Sequence, residues 1–186
     1  MNNTQIKAIL IFAILAALMA VTRDHHFGSA LNLPDASLAI FLLAGFYLPR
    51  WVFPVLLVQA GLVDYLAINY GGVSDWCFSP AYWFLIPTYA VMWYAGRFHA
   101  AHHGHSWRGF ARFSAMAFLA TSVAFVISNG SFYLFSGRFA EIGVIQYAGS
   151  LTGYYGQYLA GAFLYLSIAA CVQFAITNLY RRSARA

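Results

Sequence analysis

Six apolar runs divide the chain, at residues 6–21, 35–48, 51–70, 80–98, 110–134 and about 150–180. A membrane-spanning helix needs about 20 such residues, and somewhat fewer if it is short or buried. The second run is short, so it is expected to pack against protein without crossing the full bilayer alone. Charged residues make up 8% of the chain and hydrophobic ones 62%. A soluble domain carries roughly 25% charged residues, so there is too little polar material here to cover a water-soluble globule. The expected fold is an all-α integral membrane protein, a bundle of six transmembrane helices in one domain spanning residues 1–186. The first run has Lys7 before it and Ala17 to Ala20 at its end, as a signal peptide would; the cleavage site is weak, and the run is read as a retained helix.

The net charge of +5 is one that nucleic-acid binders share, but the charges sit between apolar runs, where they orient a membrane protein. With six spans, one side holds Lys7, Arg50, Arg97, Arg108, Arg112, Arg181, Arg182 and Arg185. The other holds Arg23 and Arg138 with Asp24, Asp35, Asp75 and Glu141. Positive charge collects on the cytoplasmic side, so both termini are expected to be cytoplasmic. Loops 22–34, 71–79 and 135–149 are then expected to face outward. The expected environment is a lipid bilayer, with no nucleic-acid partner. Pro34, Pro49, Pro54 and Pro80 mark span ends, and Pro87 is expected to kink the fourth helix.

Cys77 stands in an outward loop among Trp76, Phe78, Tyr82 and Trp83. Cys171 lies near the opposite side, beyond the roughly 7 Å that a disulfide allows, and is read as packing. An unpaired cysteine outside the cytoplasm is an inert buried residue, a reactive thiol, a partner bond or a soft metal ligand. Asp64 is the acidic residue deep in an apolar run, about 9 Å below Tyr70 at 1.5 Å per residue. Ala60, Gly61 and Ala67 give it a narrow face pointing into the bundle. An intramembrane carboxylate is a functional candidate by default; the alternative is a helix–helix hydrogen bond to a tyrosine or asparagine. His25 and His26 follow on the first outward loop, as metal ligands, donors to substrate, or solvated residues. The stretch 99–105, HAAHHGH, resembles one histidine box of the membrane di-iron desaturases, but the chain has too few histidines on one face for that site, and the stretch is read as a solvated cytoplasmic loop. The outward ends are rich in aromatic residues, among them Phe27, Phe132, Tyr133, Tyr147, Tyr154, Tyr155 and Tyr158. Such residues form either an interfacial belt or an outward pocket for a large flat ligand, to which Asn129, Gln146 and Gln157 could add hydrogen bonds. Ala13, Ala17 and Ala20 on the first helix have the spacing that lets another helix approach closely.

Six helices, internal termini, the alanine pattern and the aromatic outward face resemble the S-components of energy-coupling factor (ECF) transporters. The stretch LVDYLAINYGGVSDWCFSPAYWF, 62–84, is similar to the BtuM family, solitary S-component relatives associated with cobalamin uptake. That resemblance implies a bundle of the ECF S-component type in the bacterial inner membrane, binding cobalamin as its substrate. It implies that Cys77 is the axial ligand to the corrinoid cobalt, with His25, Asp64 and Tyr82 lining the site; His26, Trp76 and Phe78 beside them are expected to contact the substrate as well. It also implies that Ala13, Ala17 and Ala20 meet an ECF coupling subunit that carries ATPases. A thiolate suits a late first-row metal, and its electron donation is expected to promote decyanation of cyanocobalamin, a catalytic role for Cys77. No G-x-x-x-x-G-K occurs, so the chain has no ATP site. The rival readings are an S-component for a different vitamin with Cys77 incidental, and a membrane thiol redox enzyme. The latter class usually needs a C-x-x-C pair, which the chain lacks. A haem or di-iron protein ranks lower still, for want of histidines on facing helices.

Overall fold

The computed structural model describes residues 2–23, 33–102 and 107–183. They form α1 (Asn3–Arg23), α2 (Ser37–Tyr47), α3 (Val52–Tyr70), α4 (Leu85–His102), α5 (Trp107–Phe135) and α6 (Val144–Ser183), with 3₁₀ turns at Asp75–Cys77 and Pro80–Phe84. No strand occurs among the described residues. Four of these helices, α1, α3, α5 and α6, are long and apolar enough to cross a membrane. The chain is an α-helical, multi-pass membrane protein.

α2 is the axis of the bundle. Its sequence, SLAIFLLAGFY, is apolar on every face, the pattern of a helix surrounded by protein, and eight of its 11 residues are buried. At 11 residues it rises only about 16 Å, about half of a hydrocarbon core. Phe41 stacks on Tyr89 of α4, ring centroids 4.3 Å apart, and meets Phe53 of α3 edge-on. α1, α3, α4 and α6 all touch α2, while α5 packs on α4 and α6. The α2–α4 seam is the closest. A Cβ on Gly45 would run into the Trp93 carbonyl, and one on Gly96 into the Leu42 carbonyl. These two glycines let the backbones meet directly, without side chains between them.

Several expected boundaries shift for local reasons. The segment expected to open the fourth helix, Pro80–Phe84, is a 3₁₀ turn, and α4 proper begins at Leu85. Pro87 therefore falls in the first turn, where no intrahelical bond needs its missing N–H, and the expected mid-helix kink has no cause. α6 begins at Val144, shortening the expected loop 135–149 to residues 136–143. Its 40 residues reach about 60 Å at 1.5 Å per residue, well beyond a hydrocarbon core of roughly 30 Å.

Hydrogen bonds and stacking fix which helix ends meet. The end of α1, the start of α2, the last turns of α3 and the start of α4 share one polar network. Phe84 stacks on Phe135 at the end of α5, and the Tyr147 hydroxyl on α6 donates to the Asn129 carbonyl on α5. At the opposite end Tyr47 reaches Gln173 of α6, and Arg97 of α4 donates to the Leu48 carbonyl. Helices successive in sequence thus alternate in direction, and the closely packed α2 and α4 run parallel.

Candidate functional site

Asp64 is buried at the last turns of α3, between Ala60 and Ala67, which are buried on the same face. Its carboxylate accepts two hydrogen bonds from Arg23, Nε to Oδ1 and Nη2 to Oδ2, each 2.7 Å. Such a two-pronged arginine–carboxylate pair is the strongest and most directional form of ion pair. The third guanidinium nitrogen, Nη1, donates to Ser37 Oγ at 2.9 Å and to the Tyr89 hydroxyl at 2.6 Å. Ser37 in turn donates its hydroxyl and its N–H to Asp35. The Tyr82 hydroxyl donates to Asp64 Oδ2 at 2.6 Å. That hydroxyl lies beside Gly61, at ordinary contact distance from where a Cβ would stand.

Both readings of Asp64 bear on this geometry. It makes the expected hydrogen bond to a tyrosine, and it also holds a buried cation. Arg23, expected as a loop charge, is the final residue of α1 and only 5% exposed. The correction has a physical reason: an isolated carboxylate at this depth is costly and draws in a counter-charge.

Above Asp64 the chain leaves α3 through Gly71 and Gly72. The N–H groups of Gly71 and Val73 bond the Ala67 carbonyl, and Gly72 takes φ 70°, the left-handed conformation that favours glycine. The Asp75–Cys77 turn follows, closed by Phe78 N–H to the Asp75 carbonyl and by Trp76 N–H to Ser74 Oγ. Trp76 and Phe78 are 52% and 61% exposed, and Cys77 is exposed between them. Phe78 lies against Tyr82, ring centroids 5.0 Å apart. The Arg138 guanidinium sits 3.9 Å from the centre of the Trp76 ring, a cation–π contact. Partial burial pushes the Cys77 thiol above its ordinary value, Arg138 pulls it down, and Asp64 pushes it up again.

The structure thus brings Asp64, Trp76, Cys77, Phe78 and Tyr82 to one end of the bundle. His25 and His26, and Phe27 with them, lie outside the described residues. Ala13, Ala17 and Ala20 are exposed on α1, with Ile9, Leu10, Ile14 and Val21 beside them. Arg23, Ser37, Tyr89 and Arg138 belong to the arrangement without having been singled out. For Arg23 a signal existed, since a buried carboxylate needs a counter-charge; nothing local marked Arg138.

Phe132, Tyr133 and Tyr147 pack with Phe139 to close the α5–α6 connection, with centroids 4.7 to 6.3 Å apart. Asn129 donates to the Phe125 carbonyl within its own helix. His99, expected in a solvated loop, is buried in α4 against Phe46 and Phe113, while residues 103–105 of that stretch lie outside the described residues. Cys171, expected to pack, is exposed on α6. Two hollows occur away from the cysteine turn. One of about 330 Å³ lies between Phe118 of α5 and Leu159, Ala160 and Phe163 of α6. The other, of about 390 Å³, lies at the opposite end, by Arg97.

Fold and site define a multi-pass helical membrane protein with a buried arginine–aspartate pair beneath an exposed cysteine–aromatic turn. No family model and no curated protein matches the chain.

Proposed function

We propose that this protein is a corrinoid uptake subunit of the ECF S-component type. It sits in the bacterial cytoplasmic membrane as a six-helix bundle, with both termini inside, and binds cobalamin at its outward end. The observation that carries the reading is Cys77, exposed between Trp76 and Phe78 on a turn braced against Tyr82, Asp64 and Arg23. A soft sulfur donor suits cobalt, and exposed aromatic faces suit the broad corrin ring. In this reading the thiol gives its proton to water and the sulfur takes one axial position of cobalt. The displaced group is the nucleotide base on the lower face or cyanide on the upper. Cyanide leaves with its electron pair, so the exchange is redox-neutral. The exposed alanine face of α1 supports docking on an ECF coupling subunit with its ATPases.

The test is the absorption spectrum of protein purified with cyanocobalamin, wild type beside Cys77→Ala. A corrin spectrum shifted only in wild type supports thiolate ligation. Free-ligand spectra in both retain the substrate and remove the role of Cys77. If neither binds corrinoid, the substrate assignment falls, and a different vitamin becomes the reading to test.

A further inference from the structure

The end of the bundle opposite the Arg23–Asp64 pair holds a polar hollow that substrate binding does not use. It has a volume of about 390 Å³ and lies between residues 46–49, at the end of α2, and Arg97, Ala100 and Ala101 on α4. That volume is within the roughly 300–1,000 Å³ of small-ligand sites. Its origin is the mismatch in helix length. α2 stops at Tyr47 while α4 runs on to His102, so the last turns of α4 overhang the space that the Leu48–Pro49 turn leaves open.

Arg97 lines this hollow. Its Nη1 donates to the Leu48 carbonyl at 3.0 Å, which satisfies a carbonyl just past the end of α2. Its Nε and Nη2, the side-on edge of the guanidinium, make no hydrogen bond to any described residue. Among the described residues no carboxylate pairs with it. The described acidic residues, Asp35, Asp64, Asp75 and Glu141, all lie at the other end of the bundle. Arg50 stands exposed on the adjoining turn beside Trp51, itself 61% exposed, as residues at a membrane–water interface do. A half-buried guanidinium without a counter-ion is costly. Its free two-donor edge matches the paired oxygens of a phosphate. The rest of the lining is Tyr47 together with the apolar side chains of Phe46, Leu48, Pro49, Ala100 and Ala101, against which glycerol and acyl carbons can lie.

We propose that this hollow is a binding site for the headgroup of an anionic phospholipid, whose phosphodiester is gripped by Nε and Nη2 of Arg97. Basic pockets between transmembrane helices suit such headgroups. The site lies at the last turns of α4, beside the exposed Arg50 and Trp51. A lipid phosphate and a free phosphate share this chemistry; the overhanging α4 turn and the apolar lining favour the lipid.

The test is native mass spectrometry of the full chain, delipidated in mild detergent and titrated with phosphatidylglycerol, phosphatidylcholine or inorganic phosphate. The expected result is one tightly held phosphatidylglycerol, with phosphatidylcholine at least about tenfold weaker, about 1.4 kcal/mol. Arg97→Gln is expected to lose that preference and Arg50→Gln to keep it. Because Arg97 also caps Leu48, a second variant, Ala101→Phe, fills the hollow without removing charge and is expected to lose the bound lipid too. Equal retention of both lipids, or unchanged retention in Arg97→Gln or Ala101→Phe, overturns the proposal. Saturation by inorganic phosphate in place of the lipid overturns the lipid assignment.

Discussion

Removing one member of the Arg23–Asp64 pair should be far more damaging than removing both. Asp64→Leu leaves the Arg23 guanidinium buried without its two 2.7 Å acceptors. Breaking a buried pair this way costs about 3–5 kcal/mol, because the surviving charge is uncompensated. Arg23→Met strands the carboxylate and is expected to cost a similar amount. The double variant Arg23→Met/Asp64→Leu carries no buried charge, and exchanges of this kind are often neutral or stabilising. What it does lose is an acceptor for the Tyr82 hydroxyl and a donor to Tyr89 and Ser37. Interhelical hydrogen bonds in membranes average about 0.6 kcal/mol, so these losses come to roughly 1–2 kcal/mol. The double variant should therefore be more stable than either single one. The assay is unfolding in mixed micelles titrated with a denaturing detergent and followed by tryptophan fluorescence. A double variant whose loss equals the sum of the two single losses would refute the reasoning, since independent sites add.

At the α2–α4 seam, Gly45→Ala or Gly96→Ala should cost at least about 1–3 kcal/mol by overpacking, because each new Cβ meets a backbone carbonyl that cannot move aside. Gly149→Ala, with open space around it on α6, should gain up to about 1 kcal/mol from helix propensity; the same micelle titration reads all three. Arg138→Gln removes the cation that favours the Cys77 thiolate, so the thiol should titrate at higher pH and its iodoacetamide alkylation at pH 8 should slow. An unchanged rate would show that the two groups do not communicate. Cys77 must lose its proton to bind cobalt, and its thiol already lies above its ordinary value. The ligation-dependent affinity for cyanocobalamin should therefore fall about tenfold per pH unit below that value. A flat profile between pH 6 and 8, read from the shifted spectrum, would exclude thiolate ligation.

The apolar runs were enough to reveal six helices, because burial in lipid or in protein demands long unbroken apolar stretches and nothing else in the chain competes with them. Helix ends were less legible. Residues 144–149, VIQYAG, carry no cap signal distinguishing a loop from a first turn. Residues 80–84 open with a proline that a helix start also favours. Asp64 stood out as a lone carboxylate in an apolar run and proved to be the centre of the polar network, since the cost of burying charge is visible in one residue. Its partner was not legible in the same way. Arg23 sits at the edge of a run, where snorkelling cations are ordinary, and only the packing of α1 on α3 brings residues 41 apart in sequence into contact. Arg138 and Trp76 meet across two loops, and no local pattern encodes such a meeting.

The placement of the charged pair suggests why the cysteine turn is held where it is. Trp76 and Phe78 are exposed, and exposed aromatic side chains do little to fix a short turn. Its position rests on three ties instead. Gly71 and Val73 fasten it to the end of α3, Trp76 is clasped by Arg138 from the α5–α6 connection, and Phe78 lies on Tyr82. The third tie leads directly into the bundle, because the Tyr82 hydroxyl bonds Asp64, which is fixed by Arg23 at the end of α1. A ligand that pulled on the turn would load the same carboxylate that joins α3 to α1. A braced turn also loses less freedom when it binds, which raises affinity without adding a contact. The ion pair thus helps keep Cys77 at a fixed height and connects that height to α1.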